Sequence, residues 1–309
     1  MKKYIWGIIY GILLTAFTVY VMLDTFVITR FYTVVPPGED GFSSIVSDGK
    51  NNENNFSETA PPETTITRTD TSYSDGNISI TLTEYRAHDT TIYVADVQVS
   101  SAEYLKTAFA KNAYGKSITD KTSEIAEDAG AILAINGDYY GAREKGYVIR
   151  NGVLYRSASS SSQEDLVINK DGSFDIITEK SVSAQSLLDA GAQQVLSFGP
   201  ALVVDGKVSV TEDEEVGKAM SSNPRTAIGI VDELHYLFVV SDGRTNASEG
   251  LSLRELAEFM QSLGADIAYN LDGGGSSTMV FNGKVINNPT TNGKSIKERS
   301  VSDIVYIGY

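Results

Sequence analysis

From Ile78 to Ile307 the chain is a succession of short apolar runs punctuated by turn dipeptides, and this pattern limits the folds open to it. The runs are Ile78–Tyr85, Thr91–Ser100, Ala131–Ile135, Leu166–Asn169, Ser173–Thr178, Gln194–Val204, Thr226–Val231, Leu234–Val240, Ile267–Leu271 and Ser302–Ile307. Their length and their Val, Ile, Leu, Tyr and Phe content predict strands. Asn151-Gly152, Asp171-Gly172, Asp205-Gly206, Asp232-Glu233 and Asn282-Gly283 are hairpin signals. Three helices are predicted: from Ser117 or Lys121 to Asp128, from Ser183 to Asp189, and from Leu253 to Leu263. The last has Ser252 and Glu255 as a capping box, one apolar face (Leu253, Leu256, Ala257, Met260, Leu263) and Gly264 as a stop. The expected class is α+β: a mixed, largely antiparallel sheet system with a few packed helices, preceded by one transmembrane helix.

That helix is expected within residues 1–30. After Met1-Lys2-Lys3, Tyr4 to Leu23 carries no charge, and 20 residues make roughly 30 Å of helix, one hydrocarbon thickness. The run is long for a signal peptide and no small-x-small cleavage site follows, so an uncleaved anchor is predicted. Lys2 and Lys3 place the N-terminus in the cytoplasm and the rest outside. Residues 31–76 read as a polar linker, with stretches such as Asn51-Asn52-Glu53-Asn54-Asn55 that offer little to bury. Residues 77–309 remain as the globular domain.

Composition removes several chemistries. The 309 residues include no cysteine, which excludes disulfides, thiolate metal sites and cysteine nucleophiles. Only His88 and His235 are present, both apart from other reactive motifs, so acid–base work falls mainly to carboxylates. A formal charge of −15 argues against nucleic-acid binding. Asp138, Asp242 and Asp272 each follow an apolar run and touch a glycine. Asp272 opens the stretch Gly273-Gly274-Gly275-Ser276-Ser277, between strands predicted over Ala265–Leu271 and Thr278–Phe281. Three successive glycines exceed the needs of a turn, and their amides suit an anion nest. The stretch is neither a P-loop nor a dinucleotide fingerprint, since no Gly-Lys-Ser/Thr is present and a strand follows in place of a helix. Arg225, Arg244 and Arg299 stand at strand ends, as anion ligands or as loop braces.

Taken together, Asn136-Gly137-Asp138-Tyr139-Tyr140, Phe198-Gly199-Pro200-Ala201-Leu202, Asn223-Pro224-Arg225-Thr226, Ser241-Asp242-Gly243-Arg244, Leu271-Asp272-Gly273-Gly274-Gly275-Ser276-Ser277 and Glu298-Arg299-Ser300 resemble the phosphodiester glycosidase family. The resemblance covers roughly Ala131 to Tyr309. It implies hydrolysis of the glycosidic bond of sugar 1-phosphate diesters, here in envelope glycans or exopolysaccharide. Asp138, Asp242 and Asp272 are then the catalytic candidates, in no set order. Asn136, Arg225, Thr226, Arg244, Gly273, Gly274, Gly275, Ser276, Ser277 and Arg299 are the substrate-binding candidates. Tyr139 and Tyr140 are candidates to stack on a sugar, with core packing the alternative for one of them. No cofactor is required; Ca²⁺ on the acidic trio is a secondary option. A non-catalytic glycan-binding module and a phosphodiesterase attacking phosphorus are the competing classes.

Overall fold

A computed structural model describes residues 2–26, 30–31, 66–211 and 222–309. Every strand pairing between its named strands is antiparallel. A nine-stranded sheet runs in the order Lys207–Val208, Ala201–Val204, Ile267–Asn270, Arg225–Asp232, His235–Ser241, Thr90–Val99, Ile78–Ala87, Ser72–Ser74 and Thr67–Arg68. One five-stranded sheet joins Lys284–Val285, Met279–Phe281, Leu133–Asn136, Asp303–Ile307 and Leu105–Phe109. Another joins Val153–Arg156, Val148–Arg150, Ala192–Leu196, Glu164–Asn169 and Phe174–Thr178. The helices are α1 (Lys2–Phe26), α2 (Thr122–Asp128), α3 (Ala184–Asp189) and α4 (Leu253–Ser262).

Strand alternation sorts the side chains into one shared core and three outer layers. Val97, Ile228, Phe238, Val240 and Tyr269 of the large sheet meet Leu133, Ile135, Met279, Phe281, Val305 and Ile307 of one smaller sheet and Leu166, Ile168 and Leu196 of the other. The intervening residues face outward, and a helix covers each outer face. Leu253, Leu256, Ala257 and Met260 of α4 cover Ala227, Leu237 and Val239. Ile125 and Ala126 of α2 cover Ala134, Val280 and Ile304, and Ala184 and Leu187 of α3 cover Ile149, Val167 and Val195. Each fully buried Leu or Met on such a face contributes roughly 1.5–3 kcal/mol.

The cap of α4 is as its sequence predicts. The Ser252 amide donates to Glu255 Oε2 at 2.8 Å, and the Glu255 amide donates to Ser252 Oγ at 3.1 Å. Gly264 follows the C-cap with a φ of +88°. The strand predicted over Gln194–Val204 is two strands in different sheets. The chain leaves one sheet at Leu196 and joins the other at Ala201, and Pro200 has no N–H with which to continue a ladder. The expected linker falls mostly outside the described residues, but its C-terminal part is ordered into the large sheet, where Tyr73 is buried and donates to Asp75.

A helix does form over the predicted anchor, with Tyr10 to Met22 exposed. Among the described residues, however, no helix is long and apolar enough to cross a membrane, which corrects the expected span. The exposed stretch includes Thr15, Thr18 and Tyr20.

Candidate functional site

The site residues gather because the glycine stretch bridges two sheets. It leaves the large sheet after Ile267–Asn270 and enters the smaller one at Met279–Phe281, over one end of the shared core. The stretch itself is closed. A Cβ on Gly274, where φ is +64°, would lie 2.8 Å from an Arg244 guanidinium nitrogen. One on Gly275 would lie 2.4 Å from Thr291 Oγ1, and one on Gly273 would lie 2.9 Å from the Pro224 carbonyl. The amides of Gly274, Ser276 and Ser277 donate to the carbonyls of Pro224, Gly273 and Gly274 at 2.8, 3.3 and 3.2 Å. These three amides are therefore satisfied within the protein, and the glycines pack closely against their neighbours. Gly274, Gly275, Ser276 and Ser277 are buried, and Gly273 is half-buried.

Asn136 and Thr226 are also committed to the framework. Asn136, fully buried, donates from Nδ2 to the Asp272 carbonyl at 2.6 Å. Its Oδ1 accepts from Thr226 Oγ1 at 2.8 Å and from the Thr278 amide at 3.2 Å. The pair staples the two sheets together under the site, leaving Asn136 little capacity for a sugar hydroxyl.

Asp272 projects from this platform. Its Oδ2 accepts from Ser276 Oγ at 2.6 Å and from Arg299 Nη2 at 3.0 Å, and among the described residues no side chain donates to Oδ1. Arg299 Nε also donates to Ser276 Oγ at 2.8 Å, so acid, hydroxyl and guanidinium form a closed set. Burial raises the Asp272 pKa above the usual carboxylate value, and the Arg299 charge and the Ser276 hydrogen bond offset only part of that rise.

Arg244 lies against the other side of the loop. It donates to Asn223 Oδ1 from Nε at 3.2 Å and from Nη2 at 3.0 Å, and to the Thr291 carbonyl from Nη1 at 2.7 Å. All three bonds go to neutral acceptors. Burial and the nearby Arg299 charge lower its pKa. Arg225 is buried, donates from Nε to the Leu251 carbonyl at 2.8 Å, and packs beside Gly273.

The other two aspartates are turned to structural partners. Asp138 is fully buried, and its carboxylate accepts from the amides of Tyr140 and Ser197 at 3.1 and 2.8 Å and pairs with Arg150 at 2.8 Å. Arg150 Nη2 also lies 2.8 Å from Asp303 Oδ2. Asp242 accepts from the Asn288 amide and from Asn288 Nδ2, both at 2.8 Å. Through Asn287, which donates to the Ser277 carbonyl at 2.9 Å, it steadies the glycine stretch. The acidic trio is thus not a cluster, and among the described residues no group of three or more His, Asp or Glu side chains is arranged to hold a metal ion.

Several partners escaped the sequence reading. Arg150, Asp303, Asn223, Asn287 and Asn288 carry no local signal beyond their residue type. Asn223 alone stands in a quoted motif. Tyr140 is buried and stacks on Tyr114 with ring centroids 5.2 Å apart, whereas Tyr139 is exposed.

A profile of the phosphodiester glycosidase family matches residues 129–308. The SPbeta prophage-derived uncharacterized protein YomE of Bacillus subtilis is 30% identical over 203 residues, which is 63% of this chain and 31% of that protein. Mouse N-acetylglucosamine-1-phosphodiester alpha-N-acetylglucosaminidase is 29% identical over 184 residues, 54% of this chain and 35% of the enzyme. The chain therefore spans about a third of the length of these curated relatives. Among solved structures, the catalytic domain of the zebrafish enzyme of that name, auto-inhibited by its pro-peptide, superposes with a TM-score of 0.61 at 20% identity, covering 75% of this chain and 83% of that one. A hypothetical protein from Synechocystis gives 0.59 at 15% identity, over 75% and 62% of the two chains. At such identities the structural likeness speaks for the fold.

Proposed function

The chain belongs to the phosphodiester glycosidase family, and on that premise we propose that it hydrolyses the glycosidic bond of sugar 1-phosphate diesters in envelope glycans or exopolysaccharide. The observation that carries this reading is that Asp272, buried and oriented by Ser276 and Arg299, and Arg244, whose bonds go to neutral acceptors, both lie at the glycine stretch. The leaving group of such a reaction is a phosphate monoester, stable as an anion near neutral pH, so it needs little proton donation. Arg244 supplies positive charge where that anion develops. Asp272 Oδ1 attacks the anomeric carbon or takes a proton from an attacking water, through an oxocarbenium-like transition state. Arg299 and Ser276 hold the other oxygen. Arg225, Asn136, Thr226, Asp138 and Asp242 support this set from below.

Hydrolysis in ¹⁸O-labelled water distinguishes the reactions. Attack at carbon puts label in the released sugar. Label in the phosphate instead would identify a phosphodiesterase, and binding of sugar phosphodiesters without turnover would identify a glycan-binding module.

The proposal extends to placement outside the cytoplasm. Its support is the uncharged run Tyr4–Leu23 behind Lys2-Lys3 and the absence of cysteine. Protease added to intact cells is expected to cleave the chain. Protection until the cells are lysed would refute the placement.

A further inference from the structure

Tyr139 combines two costs that no hydrogen bond or ring contact of its side chain among the described residues offsets. Its φ of 67° and ψ of 26° place a bulky residue in the left-handed region, where Gly or Asn sits with less strain. Its side chain is also exposed, at 45%, and makes no side-chain hydrogen bond among the described residues. Neighbouring aromatics behave differently: Tyr140, Tyr114, Phe109 and Tyr155 pack against one another with centroids 4.9 to 5.6 Å apart.

The backbone around Tyr139 is held firmly. On one side, Asp138 is clamped by Arg150 and the Ser197 amide. On the other, Arg143 donates to the Ser197 carbonyl at 2.9 Å and lies over the Phe198 ring at 5.0 Å. The turn is also joined to the site, because the Gly137 carbonyl accepts from the Asp272 amide at 3.2 Å. Two residues of chain reach at most about 7 Å, which keeps the Tyr139 backbone within that distance of the Gly137 backbone to which the Asp272 amide is bonded.

We propose that Tyr139 is the sugar platform of this site, a rigidly presented aromatic face that stacks on the pyranose ring of the substrate and sets selectivity for the glycosyl moiety. The inference rests on the sugar phosphodiester reading above. An aromatic face pairs with the apolar C–H face of a sugar and loses few rotamers on binding. The clamped turn presents that ring without an ordering step.

The test is titration calorimetry with two probes, N-acetylglucosamine 1-phosphate and inorganic phosphate, on the wild type, Tyr139→Phe, Tyr139→Ala and Tyr139→Gly. Expected is a five- to tenfold weakening of the sugar phosphate by Ala and Gly, near-wild-type binding by Phe, and no change for phosphate. Tyr139→Gly should also melt at the same or a higher temperature, because the left-handed strain is gone. Loss of binding with gain of stability is an outcome that a purely structural residue does not give. If the wild type binds the sugar phosphate and Tyr139→Ala binds it equally well, the platform is refuted alone. If the wild type binds neither probe, the functional reading falls with it.

Discussion

Asp272→Asn is expected to lower kcat by roughly 10³-fold or more while leaving the fold intact, a loss typical of removing a nucleophile or general base. The amide keeps the size of the carboxylate and one oxygen to accept from Ser276 or Arg299, so the loop retains its packing. The stability prediction follows from the direction of the pKa shift. Burial holds the folded-state pKa above the unfolded value, so the ionised form destabilises the native state at pH above that pKa, and the cost disappears as pH falls through it. The neutral amide removes this cost, and the variant should be as stable as the wild type near neutral pH or slightly more so. Wild-type activity needs the carboxylate, so it should fall as pH drops through the raised pKa. Arg299→Gln removes the Arg299 charge that holds that pKa down, so the acid limb of kcat/KM should move to higher pH. Turnover by Asp272→Asn within tenfold of wild type would remove Asp272 from the chemistry.

What could be read in advance depended on whether the deciding contact was local. The cap and apolar face of α4 lie within a dozen residues, and strand alternation is a nearest-neighbour property, so both were legible. Gln194–Val204 reads as one strand because two apolar runs joined by Ser197–Pro200 look continuous, although they belong to different sheets. The six motifs supplied the candidate residues, but residue type alone did not settle what each of them touches. Asn136 reads as a polar strand end facing a ligand until Thr226 and Asp272 are brought to it from the far side of the sequence. The three glycines suit an open nest as well as a crowded turn, and only the fold places Arg244 and Thr291 against Gly274 and Gly275. Asp272, Arg244 and Arg299 do converge on one loop, whereas Asp138 and Asp242 brace its surroundings.

Arg150 is the hidden member of that bracing, and its replacement should have the largest effect on stability. Only 2% exposed, it pairs with Asp138 and Asp303, both fully buried, and donates to the Ile149 carbonyl at 3.1 Å. Its cluster links Leu133–Asn136, Val148–Arg150 and Asp303–Ile307, and so ties one smaller sheet to the other. Arg150→Met fills the volume but leaves two buried carboxylates facing each other, which costs about 3–5 kcal/mol. For a domain of this size that corresponds to a fall in melting temperature of roughly 6–20 °C. Burial and the Asp138 charge already raise the Asp303 pKa, with Arg150 opposing them, so removing the guanidinium pushes it higher still. Protonation of Asp303 then relieves the repulsion, and the deficit should be greatest at alkaline pH and shrink as pH falls through the raised value. Adding Asp303→Asn to Arg150→Met should recover part of the loss at pH 8 and little at pH 5. Thermal melts of the single and double variants across that range provide the measurement. A single variant that melts with the wild type would show that the buried ion cluster contributes nothing to holding the sheets together. A deficit independent of pH would assign the loss to the Arg150 hydrogen bonds with backbone carbonyls rather than to the stranded charges.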